Sequence, residues 1–314
     1  RAAADSRWGL VALLAGGMVV LLGVLLALYS GLLVRRTSRV AYSGQGRAQV
    51  GRAAAHARRG LLPATPVGAV AAKEVRTWWR DARRRVALMS TVIVGVVIAV
   101  VPAVSGLSSN GQTNTTSLPY LALIVVAFAC MQAGNLYGFD GSALWQTLLT
   151  PGGERADVRG RQFAWLLIVA PVVIVLAAVV PGAAGKSSAY PWVLGLTPAV
   201  LGAGAGLIVM LSVFAAYPLP DQRKNTNPFA SGGRPGCGRA LLQLGMVLLL
   251  AVAMLPSAGL LIAGVLTDID LLRWLAVPVG IAVGAVLCWW WGRLAYQRLR
   301  ERGPELFELV RKER

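Results

Sequence analysis

The sequence VPGAAGKS at residues 180–187 has residue types that could bind a nucleotide. A phosphate-binding loop needs the pattern G-x-x-x-x-G-K-[ST] between a strand and a helix, because its backbone N–H groups and its lysine hold the phosphates together. The first glycine of that pattern is absent here, and we expect the segment to face away from the cytoplasm. The sequence therefore predicts no nucleotide site on this chain.

The other reactive side chains are too scattered to form a catalytic or metal site. The single histidine, His56, lies in the sequence AAAHARR without a carboxylate or a second ligand beside it. Asp268 and Asp270 are isolated from other acidic residues. The three cysteines are far apart and form neither a CxxC pair nor a disulfide framework: Cys130, Cys237 and Cys288. We expect no catalytic residue, no metal and no cofactor on this chain, and we expect that it is not an enzyme.

Long uncharged stretches indicate a membrane protein. Hydrophobic residues make up 56% of the 314 residues and charged residues 14%. The uncharged stretches are 8–34, 86–139, 162–185, 187–220, 240–267 and 274–292. A bilayer is crossed by a helix of roughly 20 residues, and the polar segment 105–117 divides the second stretch into two crossings. We predict an all-α polytopic membrane protein with seven transmembrane helices.

The distribution of basic residues predicts the orientation. If the loop 35–85 is cytoplasmic, that side of the membrane carries 27 of the 31 lysines and arginines. Short basic loops stay in the cytoplasm, so we expect the N-terminus outside and the C-terminus inside. Acidic headgroups attract such charges, and we therefore expect a lipid bilayer and no nucleic acid as partner. The excess of arginine over lysine and the abundant alanine are typical of GC-rich bacteria, which predicts the bacterial plasma membrane.

Five segments are predicted along the chain. Residues 1–34 hold the last span of a preceding repeat, and 35–66 form a basic cytoplasmic linker. Residues 67–85 form an amphipathic elbow helix, 86–300 a six-span core, and 301–314 a cytoplasmic tail. Because the first span enters from outside without a signal peptide, we expect that the chain is the C-terminal part of a longer one.

The elbow helix has one apolar face and one basic face. Ala71, Val75, Trp78 and Ala82 follow helical spacing on the apolar face. Such a helix lies in the plane of the membrane interface. It either leads into a transporter core or only anchors the chain.

A short helix is predicted at residues 142–149, where Pro151 and two glycines then stop it. We expect it to expose four apolar side chains in the cytoplasm: Leu144, Trp145, Leu148 and Leu149. Leaving such side chains in water forfeits roughly 1.5 to 3 kcal/mol each, so they need a partner, either the bilayer surface or another protein.

Two further helix boundaries follow from prolines. Thr197 and Pro198 have the residue types of an N-cap and a first helical residue, which predicts a helix start near 198. Pro256 predicts a kink or an early end of the sixth span, with a re-entrant outer piece at 257–272. Glycines in the fifth and last spans, among them Gly202 and Gly284, predict close helix packing.

No span contains a charged residue in its middle. Ion-coupled transporters usually place groups there that titrate or coordinate an ion. We therefore expect the energy for any transport to come from another subunit.

The order of these elements resembles permease subunits of ATP-binding-cassette exporters of the type-2 class, with actinobacterial multidrug and antibiotic-export permeases most similar. The resemblance covers about residues 67–300. It consists of the elbow AAKEVRTWWRDARRR, two spans, the loop NLYGFDGSALWQTLLTPGGERADVRGRQ and four more spans. Two features depart from the family, namely the extra leading span and the short outer stretch between the last two spans.

The resemblance implies that residues 142–149 are a coupling helix that docks on an ATPase subunit. It implies contacts to the ATPase from Ser142, Leu144, Trp145, Leu148 and Leu149, and charge pairing around its cleft by Asp140, Glu154, Arg155 and Asp157. It implies an elbow anchored by Lys73, Glu74, Trp78, Trp79, Arg80 and Asp81. The implied partners are two ATPase subunits, which bind ATP and Mg, and the other permease half.

The resemblance thus predicts an exporter of a hydrophobic or amphipathic substrate, such as a drug, an antibiotic or a lipid-like compound. Two alternatives stay open. An ion-coupled secondary transporter would depend on an ion gradient, and a non-transporting membrane scaffold would use its cytoplasmic surfaces only to recruit partners.

Overall fold

The computed structural model of the protein describes residues 65–108, 120–183, 187–218 and 237–311. The predicted span at 8–34 and most of the basic linker lie outside the described residues. The site discussed below belongs to one compact unit, Leu62–Ala103 with Thr113–Arg314.

The described residues form helices and contain no strand, which confirms the all-α prediction. In chain order the helices are α1 (Pro66–Arg80), α2 (Ala82–Ser108), α3 (Leu121–Ala133), α4 (Leu136–Asp140), α5 (Leu144–Leu148), α6 (Gly153–Ala183), α7 (Tyr190–Phe214), α8 (Cys237–Leu266) and α9 (Asp270–Arg311). Short 3-10 turns precede α5, at Gly141–Ala143, and α7, at Ser187–Ala189.

Within the described residues, five helical stretches are long and apolar enough to cross a membrane. They are Leu121–Leu148, Gly153–Gly182, Ser187–Phe214, Leu241–Leu266 and Asp270–Val310. They correspond to the last five predicted spans, and the chain is a helical, membrane-embedded protein. The remaining two predicted spans are not confirmed, because one lies outside the described residues and α2 is not among the five.

The elbow helix is shorter than predicted. Pro66 occupies its first turn, and the hydroxyl of Thr65 accepts a hydrogen bond from the Gly68 N–H at 3.1 Å, which caps the helix. The helix ends at Arg80 because Asp81 is extended, with φ −78° and ψ 123°. The Asp81 carboxylate then accepts a hydrogen bond from the Arg83 N–H at 2.9 Å, so residues 82–85 start α2 rather than end the elbow.

The packing core of the bundle is α7, which is mostly buried and contacts α3, α6, α8 and α9. A side chain on Gly202 of α7 would overlap the backbone of Gly284 in α9. Likewise, Gly280 leaves no room for a side chain against the carbonyl of Gly195. Close packing at the predicted glycines is therefore confirmed.

The predicted helix start near residue 198 and the predicted early end at Pro256 are wrong. Helix α7 starts at Tyr190, because the Thr197 hydroxyl bonds back to the Val193 carbonyl at 2.6 Å inside the helix instead of capping a new one. Helix α8 continues through Pro256 to Leu266. The predicted tail is helical to Arg311, after a break at Arg302 where φ is −127°.

Candidate functional site

Four helices bring charged side chains together at one end of the bundle. The helices are α1, the start of α2, α4 and the start of α6, and the shared side chains are buried between them. We call this group the charged cluster: Glu74, Arg84, Asp140, Asp157 and Arg161. Tyr137 contacts the cluster from its buried side, and Lys73 contacts it at its solvent-exposed edge.

Arg161 lies at the centre of the cluster, and its side chain is fully buried (0% exposed). Its Nη1 lies 3.1 Å from Oε1 of Glu74, and its Nε donates to Oδ2 of Asp157 at 2.8 Å. Its Nη2 donates to Oδ2 of Asp140. One guanidinium thus binds three carboxylates on three different helices, which its planar array of donors permits.

Arg84 forms the second link between the same elements. Its Nη1 donates to Oε2 of Glu74 at 2.6 Å, and its Nη2 donates to Oδ1 of Asp140 at 3.3 Å. Its guanidinium carbon also lies 5.8 Å from the ring centroid of Trp78 and 5.1 Å from that of Phe139. These aromatic rings add cation–π attraction and keep water away from the pair.

Tyr137 and Lys73 complete the cluster. The Tyr137 hydroxyl donates to Oδ2 of Asp157 at 2.9 Å, and the Arg161 guanidinium lies 4.5 Å from the tyrosine ring centroid. Lys73 is 48% exposed, and its Nζ lies 3.5 Å from Oδ2 of Asp140. With Lys73 included, three carboxylates face three cations, so the cluster is formally neutral.

Helix α1 is held against α6 as well as against the cluster. At Gly160 a Cβ atom would lie 2.5 Å from the Val70 side chain and 2.9 Å from the Val67 carbonyl. The two helices therefore meet with no side chain of α6 between them. The face that α1 buries contains Ala71, Glu74 and Trp78, so its buried side turns toward protein and includes a charge that the apolar pattern did not place there.

The predicted short helix lies directly after the cluster. Asp140 ends α4, Gly141 turns the chain with φ +53°, and α5 follows after the 3-10 turn. Only Gly favours that φ, so the turn fixes where α5 begins. Trp145 is 48% exposed and Leu149 is 72% exposed. The prediction that Leu144 is exposed is wrong, since this side chain is fully buried.

The end of α9 packs against α5. A Cβ atom at Gly303 would lie 2.6 Å from Cδ2 of Leu148, and one turn later Leu306 is only 5% exposed. Val310 is buried on the same face. Leu148 is therefore half-buried rather than exposed, and the predicted cytoplasmic tail starts as a helix that packs against Leu148 at Gly303.

The structure brings together four of the residues named from the sequence: Lys73, Glu74, Asp140 and Asp157. It places Ser142, Trp145, Leu149 and Arg155 on the exposed surface near the cluster, with Glu154 half-buried. Trp79 and Arg80 are exposed on α1, Trp78 is buried, and Asp81 caps α2. Because the carboxylates of Asp140 and Asp157 bind arginines of their own chain, their predicted pairing with an ATPase is replaced by internal pairing.

Arg84, Arg161 and Tyr137 were not predicted as site residues. The spacing of Asp157 and Arg161 at i and i+4 on a helix could have indicated a pair. The chain has only 13 acidic residues, and three of them meet here, which also marks the region. Within the described part of the chain, no group of three or more His, Cys, Asp and Glu side chains is arranged so that it could hold a metal ion.

Comparison of the chain with protein-family models, with curated proteins and with solved structures gives no match.

Replacing Arg161 with leucine should destabilise the protein strongly, because three buried carboxylates lose their shared partner. Removing one partner of a buried ion pair costs about 3 to 5 kcal/mol. For a chain of this size we expect the melting temperature to fall by about 6 °C or more. Arg155→Leu changes an exposed arginine on the same helix and should shift stability by less than about 0.5 kcal/mol. Equal melting temperatures for the two variants would contradict the role of the cluster.

Replacing Leu306 with aspartate should release the end of α9 from α5, because Leu306 is buried one turn after Gly303 and an unpaired carboxylate is costly to bury there. We expect faster amide exchange across Leu144–Leu148, measured by hydrogen–deuterium exchange, with α7 amides as the internal reference for global opening. Leu309→Asp is the matched control, since Leu309 is 51% exposed on the same helix. Unchanged exchange in α5 of Leu306→Asp would show that α9 does not brace it.

Proposed function

We propose that this chain is the transmembrane permease component of an ATP-driven exporter of the ATP-binding-cassette type-2 class. It moves a hydrophobic or amphipathic substrate, such as a drug, an antibiotic or a lipid-like compound, out of the cell. The chain hydrolyses nothing itself; ATP and Mg are bound by partner ATPase subunits. The plasma membrane of a bacterium is its location, with the C-terminus in the cytoplasm.

The observation that carries this proposal is the contrast between the two faces of α5. The outer face presents Trp145 and Leu149, which are exposed apolar side chains at the end of the bundle. The inner face holds Leu144, fully buried, and Leu148, packed against Gly303. Such a helix presents an apolar surface to a partner on one side and is packed against its own chain on the other. It can therefore transmit a movement of that partner to the rest of the protein.

The charged cluster supplies a path for such motion. A push on α5 reaches Asp140 through the 3-10 turn, and Asp140 is bound to Arg84 at the start of α2 and to Arg161 in α6. The elbow α1 follows through Glu74, which pairs with both arginines. Closure of the ATPase subunits would therefore move four helices together, and this permease half would then move against the other half around the substrate path.

Three polar side chains of the bundle have partners within the chain and support packing rather than substrate binding: Gln132, Asn135 and Ser212. Gln132 of α3 donates to the Ser90 hydroxyl of α2 at 2.9 Å. The Asn135 amide donates to the Tyr217 carbonyl at 2.8 Å, and the Ser212 hydroxyl accepts the Leu136 N–H at 2.8 Å. A substrate that crosses between such apolar helices is itself hydrophobic or amphipathic.

Secondary transport is the weaker alternative. It needs a group that gains and loses a proton or an ion within the membrane. The buried carboxylates in the described helices are all paired with arginine, which stays charged at any physiological pH. A non-transporting scaffold would use the same exposed face of α5, and only a transport measurement separates it from the permease.

Leu149→Asp should abolish capture of the ATPase by the permease, because a carboxylate replaces an exposed leucine at the centre of the proposed contact. The full-length chain is purified from its native host in mild detergent, and co-purifying proteins are identified by mass spectrometry. Leu271→Asp is the matched control, since Leu271 is 69% exposed near the turn between α8 and α9. We expect an ATP-binding-cassette ATPase with the wild type and with Leu271→Asp, and a loss of about tenfold or more with Leu149→Asp.

An ATPase retained equally by Leu149→Asp would contradict α5 as its docking site. Absence of any ATPase from the wild-type sample would contradict the permease proposal itself. If the ATPase is present, export of a fluorescent hydrophobic dye from cells that carry wild type or Leu149→Asp separates a permease from a scaffold, because a scaffold variant loses recruitment without a change in dye export.

A further inference from the structure

An arginine of α6 is bound to the backbone of α9 at the same end of the bundle as the charged cluster. Arg159 donates from Nη1 to the Cys288 carbonyl at 3.2 Å and from Nη2 to the Trp289 carbonyl at 3.0 Å. Gln162 donates to the same Cys288 carbonyl at 2.9 Å. Gly292 makes this approach possible, because a Cβ atom there would lie 2.6 Å from Nε2 of Gln162 and 2.9 Å from Nη1 of Arg159.

A second cation, Arg293, lies one helical turn after Trp289 on α9. The guanidinium carbon of Arg293 is 5.5 Å from the ring centroid of Trp289, the residue whose carbonyl binds Arg159. Within the described parts of the chain, no carboxylate lies within ion-pair distance of either arginine. Arg159 uses three of its five N–H donors on Gln162 and the two carbonyls, so two donors remain for a ligand.

The surroundings of the two arginines indicate a membrane–water boundary. Trp289 and Trp290 are both exposed on α9, and most of α9 faces away from the bundle. Tryptophan favours the headgroup level of a bilayer, where one edge of the ring is apolar and the other is wet. Arg159 is two residues from Arg161 on α6. Its contact with α9 therefore lies at the level of the charged cluster and not in the apolar middle of the helices.

We propose that Arg159, Trp289, Trp290 and Arg293 form a binding site for the phosphate-bearing headgroup of an acidic phospholipid. We call it the headgroup site. Guanidinium groups bind phosphate oxygens with two parallel N–H donors, and the indole rings lie against the glycerol and upper acyl region. The headgroup neutralises two cations that have no acidic partner and joins α6 to α9. This site does not depend on an ATPase or on transport.

The test uses the full-length chain in detergent and native mass spectrometry with added phosphatidylglycerol or phosphatidylcholine. We expect the wild type to retain phosphatidylglycerol at least about fivefold more strongly than phosphatidylcholine. Arg293→Gln should reduce phosphatidylglycerol retention about fivefold, which corresponds to about 1 kcal/mol per basic residue at an acidic surface. Arg300→Gln, an exposed arginine two turns further along α9, should change it by less than about twofold.

Inorganic phosphate is added in a separate arm to distinguish a lipid headgroup from free phosphate. We expect excess phosphate to leave bound phosphatidylglycerol in place, because phosphate lacks the apolar part that contacts the tryptophans. Displacement of the lipid by phosphate would assign the cations to a free anion and overturn the proposal. Equal retention of the two lipids by the wild type would overturn it, as would equal losses in Arg293→Gln and Arg300→Gln, since these would indicate only diffuse attraction.

Discussion

Three carboxylates that share two buried arginines are the constraint on which this end of the molecule depends. Inside a protein, a charge without a partner costs several kcal/mol, and removing one partner of a buried pair costs about 3 to 5 kcal/mol. Glu74 lies on α1, Asp140 at the end of α4 and Asp157 in α6, and Arg161 touches all three. None of these elements can move away alone without leaving a charge unpaired, so the elements keep one arrangement or change together.

That constraint also holds the short helix α5 in position. The helix has only five residues and could not hold its position by its own hydrogen bonds. It is held from one side by Asp140 through the turn at Gly141, and from the other by the end of α9 against Leu148. Its free face is apolar. The combination explains why a five-residue helix can serve as a contact surface and pass a displacement on to the four helices of the charged cluster.

The sequence predicts the last five spans correctly because hydropathy over 20 or more residues averages out local detail. It does not identify Arg84 and Arg161 as site residues, because some of the partners that join them to other helices are distant in the chain: Arg84 and Asp140 are 56 residues apart. In the sequence, a basic residue near a span is equally consistent with a solvated membrane anchor and with a buried ion-pair partner. Only the fold distinguishes the two. For the same reason Asp140 and Asp157 were assigned to an external partner when they are bound internally.

The short helix shows the second limit of sequence reasoning. Its position was predicted from Pro151 and the glycines that follow the apolar run, and it is confirmed at Leu144–Leu148. Which side of the helix is buried was not predicted. Five residues contain too little periodicity to distinguish Leu144, which is buried, from Trp145, which is exposed. The packing of Leu148 also depends on Gly303, more than a hundred residues away.

The most direct measurement is the distance distribution between spin labels at Arg76→Cys on α1 and Gln146→Cys on α5, in an otherwise cysteine-free chain, by pulsed electron paramagnetic resonance. Both positions are exposed and outside the cluster. The account predicts one narrow distribution that broadens when Arg161→Leu is added and stays narrow with Arg155→Leu. A distribution that is already broad without Arg161→Leu, or unaffected by it, would contradict the claim that the charged cluster binds the elbow to the short helix.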